Sequence, residues 1–236
     1  MRLREFLMGT ALMSFALITT AKANSLPAFN EDVRNDFGDD RQKAIEAGMS
    51  LPIPPSPLIS ADKVLGSAYY DTLTILSTNN RCSDFFGGPA ASVDIFNELI
   101  SKARKDYFPV SIAMRMSGRT INFINAETKK QYGLFEKVSI NINGPFYRKR
   151  FADSDPSIPR VGTFKPNTKE VRVLILLHEL GHVVKGPEGN WLLPDDGKNE
   201  EQSRLNSQKI EDVCGDQIKD LGKTEATNFA RRKLPA

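Results

Sequence analysis

All the histidine in this chain sits in five residues, His178-Glu179-Leu180-Gly181-His182. On a helix that spacing puts both imidazoles on one face, a single turn apart, where their nitrogens can meet on one ion. Glu179 projects beside them, as a base for metal-activated water must. The flanking run from Val171 to Val184 is apolar on nearly every face except Arg172 and the motif's own polar residues. It therefore predicts a buried core helix, with Asn167 as N-cap, Glu170 completing a capping box, and Gly186 and Pro187 as the stop. Burying two imidazoles and a carboxylate in such a helix is costly without partners, and a zinc ion satisfies all three together.

The rest of the chain sets the context. Arg2 and Arg4 precede an apolar run from Phe6 to Thr20, and Ala21-Lys22-Ala23 supplies a small-x-small cleavage site. Residues 1–23 thus read as a signal peptide, and the expected location is secreted or periplasmic. The run is shorter than the ~18–20 residues a spanning helix needs, so no stable membrane span is expected after cleavage. Net charge is +3 over 236 residues, a near-balance that gives no electrostatic case for nucleic acid as a partner. Nothing in the sequence fixes the oligomeric state. Cys82 and Cys214 are the only cysteines, and export permits one disulfide between them; two buried thiols are the alternative.

Residues 24–60 are punctuated by Pro27, Pro52, Pro54, Pro55 and Pro57 and read as a lead-in or linker, with a short helix at Asp40 to Met49. The sequence leaves open whether this segment is inhibitory. Residues 61–236 form the expected domain. Tyr69 to Leu76 reads as helix or strand, and Pro89 to Lys105 as a helix through Val93, Phe96, Leu99 and Ile100. Val110 to Met116, extended by Ile121 to Ile124, and Phe135 to Ile142 alternate like strands. Arg160 to Phe164 is a shorter strand-like piece. After the motif comes a polar loop, Asp195 to Asn199, then an amphipathic helix from Glu200 to about Leu221. The fold class expected is α+β: a small mixed or antiparallel sheet packed on the metal helix and closed by a C-terminal helix.

A catalytic zinc site needs a third protein ligand, and no third histidine exists. Glu188, Asp195, Asp196, Glu200, Glu201, Glu211 and Asp212 are the candidates. With Cys214 centred on the inner face of the last helix, Ser203, Ser207, Ile210, Ile218, Leu221 and Glu200 fall within about 40° of it. Glu211 lies at about 60°, whereas Glu201 and Asp212 turn outward by about 140° and 160°. Glu200 is the expected ligand, with Glu188, Asp196 and Glu211 as alternatives.

The His178–His182 motif followed by Asn199-Glu200-Glu201-Gln202-Ser203 resembles the gluzincin branch of zinc metallopeptidases, the thermolysin-like group. The resemblance spans about residues 167–215. It implies a zincin-like fold, Zn2+ held by His178, His182 and Glu200, Glu179 as general base, and a peptide or protein substrate. Arg204 stands where that group has aspartate. The metzincin pattern fits less well, because Lys185 and Glu188 occupy its glycine and histidine positions. Tyr147, Arg148 and Arg150 are candidates to stabilise an oxyanion, and Arg160 to Phe164 is placed as a peptide-binding edge strand. The expectation is an exported zinc-dependent peptidase. The alternatives are a hydrolase of another amide, such as a cell-wall crosslink, and a non-catalytic zinc-binding module with an interaction role; Glu179 has no use in the last of these.

Overall fold

Polar caps set the starts of the helices, and the first lies inside the proline-rich stretch. Helix α1 (Pro57–Ala61) begins where Ser56 Oγ accepts a bond from the Leu58 amide, and it buries Ile59. The structure is a computed structural model that describes residues 54–109, 111–150, 157–197 and 199–232, all within one compact unit, Pro52–Ala236. The expected signal peptide, the lead-in up to residue 53 with its expected helix at Asp40 to Met49, and Val110 lie outside the described residues.

Helix α2 (Lys63–Leu76) resolves the ambiguity at Tyr69 to Leu76 in favour of helix. Asp62 caps it, taking the Val64 and Leu65 amides on Oδ1 at 2.9 and 3.0 Å. The other carboxylate oxygen of Asp62 accepts from Tyr147 Oη at 2.8 Å and from the Lys105 ammonium. One buried carboxylate therefore joins a helix start, a strand and the turn before the motif helix. Asn80 caps the short helix α3 (Arg81–Phe85) in a reciprocal capping box with Ser83. Helix α4 (Pro89–Ser101) stops earlier than expected, because Ala103–Asp106 leaves it to form strand β1. Sheet pairing prevails there: β1 lies parallel to strand β3 (Gln131–Asn141), with Ala103 opposite Val138.

Strand β2 (Met114–Ile124) pairs antiparallel with β3, giving the order β1-β3-β2. The fold is thus α+β with a small, mixed three-stranded sheet, as the sequence implied.

The motif lies in helix α5 (Lys169–Val183), which buries Val171, Val173 to Gly181 and Val183. Each large aliphatic side chain so placed contributes about 1.5–3 kcal/mol. The N-cap is Thr168 rather than Asn167: Thr168 Oγ1 accepts from the Val171 amide at 3.3 Å, and no capping box with Glu170 forms. Asn167 takes the left-handed conformation that asparagine tolerates, with φ 57°, and its side chain accepts from Arg172. Nor do Gly186 and Pro187 end the helix. Val184 is already extended and bridges to Tyr132, while the Lys185 amide donates to Gln131 O at 3.0 Å. The end of α5 thereby adds a short segment beside the first residues of β3, beyond the Val138 to Asn141 stretch that β1 covers.

Arg160 to Phe164 forms no edge strand. Val161 and Phe164 pair with each other in a tight turn, which leaves no row of amides for a peptide. The turn is held instead by Glu211, whose carboxylate accepts from the Thr163 amide at 2.8 Å and from the Thr163 hydroxyl.

Glu211 lies on helix α6 (Glu200–Arg232), which packs along α5 and carries Ile210, Cys214 and Ile218 into the core. Cys214 is disulfide-bonded to Cys82 of α3, across 132 residues of sequence. Among the described residues, no helix is long and apolar enough to cross a membrane. A cross-link closing so long a loop restricts the unfolded chain strongly, so Cys82→Ser with Cys214→Ser is expected to cost about 2–5 kcal/mol. Denaturant unfolding of the double variant beside the wild type, each with and without reductant, checks this: reductant should lower the midpoint of the wild type alone.

Candidate metal centre

A turn of α5 separates His178 from His182, and the helix presents both rings to the same place. Their Nε2 atoms lie 3.0 Å apart, and Asp196 Oδ2 lies 3.0 Å from His178 Nε2 and 3.5 Å from His182 Nε2. One ligand atom from each of the three residues falls within 4.8 Å of the others. Two imidazole nitrogens and a carboxylate oxygen brought so close could hold a metal ion.

The sequence delivers Asp196 by a short return path. Beyond α5 the chain makes a small hairpin, with Lys185 bridged to Trp191, the Gly186 amide bonded to Asn190 O at 2.8 Å and the Leu192 amide to Val184 O at 2.9 Å. The Leu193 amide then donates to Gly181 O at 3.0 Å, while the Leu193 side chain lies directly on Gly181. A Cβ at position 181 would stand 2.6 Å from Leu193 Cγ, so the glycine inside the motif exists to let the returning chain touch the helix. Three residues further on, that contact brings Asp196 to the histidines.

Helix α6 fixes the arrangement from the other side. Ser207 Oγ stands 3.0 Å from His178 Nδ1, which leaves Nε2 as the nitrogen turned toward Asp196 and His182. Asn206 Nδ2 donates to Pro194 O at 2.9 Å and reaches Asp196 Oδ2 at 3.5 Å. Lys209 Nζ caps Leu192 O at 2.8 Å. The returning strand is thus clamped at two carbonyls beside the carboxylate.

Electrostatics follow from crowding. Burial pushes the Asp196 carboxyl up, but the hydrogen bonds from His178 and His182 outweigh it and hold the group well below the ordinary carboxylate range. For His182 burial works downward, yet Asp196 and Glu179 prevail and raise it. Glu179 is only 9% exposed, and burial raises its pKa against the opposing pull of the two histidines, with Asp196 adding to the rise. Among the described residues Glu179 makes no hydrogen bond or ion pair.

Glu200, the ligand expected from the sequence, lies outside this group. It is exposed in the first turn of α6, where Asn199 acts as a cap for the Gln202 amide. Its angular position suits the inner face, but its axial position does not: Ser207 is the residue level with His178, and seven residues at 1.5 Å each set Glu200 about 10 Å away along the axis. Glu188 is exposed in the hairpin turn, and Glu211 is buried on Thr163. Tyr147 gives its hydroxyl to Asp62, and Arg148 and Arg150 are exposed. The sequence singled out Ser207 as inward-facing, and the roles of Asn206 and Leu193 carried no signal in it. No protein-family model, curated protein or solved structure matches the chain.

Two outcomes follow. Asp196→Asn and Gly181→Ala are each expected to weaken zinc affinity at least about tenfold, the first by removing the anionic donor and the second by displacing Leu193 and the loop behind it; Ser207→Ala should cost about tenfold. Competition against a chromogenic chelator measures all three. The second outcome concerns pH. Glu179 and His182 titrate above their ordinary values, so their contribution to stability is present in acid and is lost as pH rises through those raised values. Asp196, held low, keeps its contribution down to strongly acid pH. The metal-free protein should therefore weaken from about pH 5.5 to about pH 7.5, while the gain from added zinc, which competes with protons for imidazole, should grow over that interval. Thermal melts with zinc and with chelator at both pH values test the two opposite slopes.

Proposed function

We propose that the chain is an exported zinc-dependent hydrolase of the zincin type, cleaving peptide bonds, with His178, His182 and Asp196 as zinc ligands and Glu179 as general base. The observation that carries this reading is Glu179: a buried carboxylate without a protein partner, next to a convergent His/His/Asp set. A site that merely held a metal for structure would gain nothing from it and would bear its desolvation. When bound, zinc supplies Lewis acidity toward water and toward the scissile carbonyl.

The residues of the chain do the rest. Ser207 and Asn206 orient His178 and Asp196. Glu179 accepts the proton of the attacking water and returns it to the leaving amine, and its raised pKa brings it nearer the operating range of such a base. The apolar side chains of α5 exclude bulk water around it. The resemblance to gluzincins supports the roles of His178, Glu179 and His182, while Asp196 replaces Glu200 as the third ligand in this proposal. The signal peptide supports a secreted or periplasmic location, and the disulfide accords with it.

The purified mature chain should bind about one zinc and cleave a peptide library, with activity removed by chelator and restored by zinc. Glu179→Gln should keep the metal and lose about 100-fold or more in rate. Mass-spectrometric profiling of the products decides: zinc-loaded wild type without any cleavage leaves a metal-binding module as the correct description.

A further inference from the structure

Beside the metal centre lies an open cleft of about 390 Å³, lined by Lys185, Gly189, Asn190, Trp191, Pro194 and Asp195. Its walls belong to the hairpin that joins the two halves of the site: Lys185 is three residues beyond His182, and Asp195 directly precedes Asp196. Trp191 is 36% exposed, yet its ring is committed to its neighbours. The end of the indole leans on Gly133 of β3, where a Cβ would come within 2.7 Å of Trp191 Cη2. The Lys185 ammonium sits 4.9 Å from the ring centroid. The indole thus walls the cleft and positions a charge.

That charge is the informative group. Among the described residues the Lys185 ammonium has no carboxylate partner. Its backbone is tied on both sides, by the bond to Gln131 O and the bridge to Trp191, so the side chain starts from a fixed point. Asp195 brings the opposite charge to the same cleft, but its Oδ1 already accepts the Gly197 amide at 3.1 Å. Asn190 adds an amide, and glycine and proline complete walls that carry no other cation.

We propose that this cleft is a substrate subsite for a carboxylate, with Lys185 as the residue that determines specificity. The proposal rests on the hydrolase reading, since it assigns the cleft to that substrate. The carboxylate is either an acidic side chain near the scissile bond or the terminal carboxylate of the peptide. Both present the same anion, and an ammonium held over an indole recognises either.

The chain contains one tryptophan, so tryptophan fluorescence reports on this cleft alone. The full mature chain carrying Glu179→Gln and loaded with zinc is titrated with four peptides of one sequence, the first three blocked at both ends. One bears glutamate, one glutamine and one lysine at a single position, and the fourth is the glutamine peptide with a free C-terminus. The glutamate peptide, the free-acid peptide, or both should bind about fivefold tighter than the glutamine amide, the scale of a partly exposed ion pair. Preference for the first places the anion on a side chain, and preference for the second places it at the terminus. Lys185→Met should bring the ratio to about one, and Lys185→Arg should retain it. Equal binding of all four, no binding, or preference for the lysine peptide overturns the proposal, even where the wild type hydrolyses peptides. Anion preference without any hydrolysis by the wild type would overturn the hydrolase reading and leave the subsite standing.

Discussion

The structure turns on placing two imidazoles and a carboxylate where an apolar helix should have only aliphatic side chains. His178 and Glu179 are buried on α5 between stretches of valine, leucine and isoleucine. In such surroundings a lone polar group costs several kcal/mol, so each must be matched by something brought from elsewhere in the chain. His178 is matched on both ring nitrogens, by Ser207 from α6 and by Asp196 from the loop. His182 is matched by Asp196. Of these three only Glu179 is left without a partner, and the proposed role as general base rests on that asymmetry.

Everything that supplies those partners comes from long range. Asp196 depends on the hairpin, the hairpin on its bridge to β3, and its return on the space above Gly181. The three-stranded sheet is therefore part of the site's support although it contributes no ligand: β3 offers the edge on which Val184 and Lys185 lie down. Helix α6 acts on three levels. Asn206 and Lys209 hold the returning strand, Ser207 the ring of His178, and Glu211 the turn at Thr163. The disulfide at Cys214 lies about two turns beyond Ser207 and anchors that helix to α3.

What the sequence disclosed, and what it hid, follows from the range of each interaction. The His-Glu-x-x-His spacing is a property of one helix, so its consequence for both rings was legible; so were most of the two long strands, read at 110–116 with 121–124 and at 135–142 where the structure has 114–124 and 131–141, and the pairing of the only two cysteines. Arg160 to Phe164 has the composition of a strand but no neighbour to pair with, and it closed on itself. Glu200 shows the limit most clearly. A helical wheel gives the angle of a side chain about its axis and says nothing of its height along the partner helix. Glu200 satisfies the first condition and misses the second, whereas Asp196 lies on no helix and had no angle to be judged by.

The same reasoning bears on the loop itself. A ligand on a helix is positioned by that helix; one on a loop is positioned only as well as the loop is held. Here the loop is held at Leu192 by Lys209, at Leu193 by Gly181 and at Pro194 by Asn206, three successive residues with three different partners. Such a sequence of anchors leaves Asp196 little freedom to swing away from the two histidines. The anchors also fix the wall of the neighbouring cleft, because Trp191, Pro194 and Asp195 belong to the same held segment. The candidate metal centre and the cleft are in this way a single mechanical unit, and a change that loosens one loosens the other.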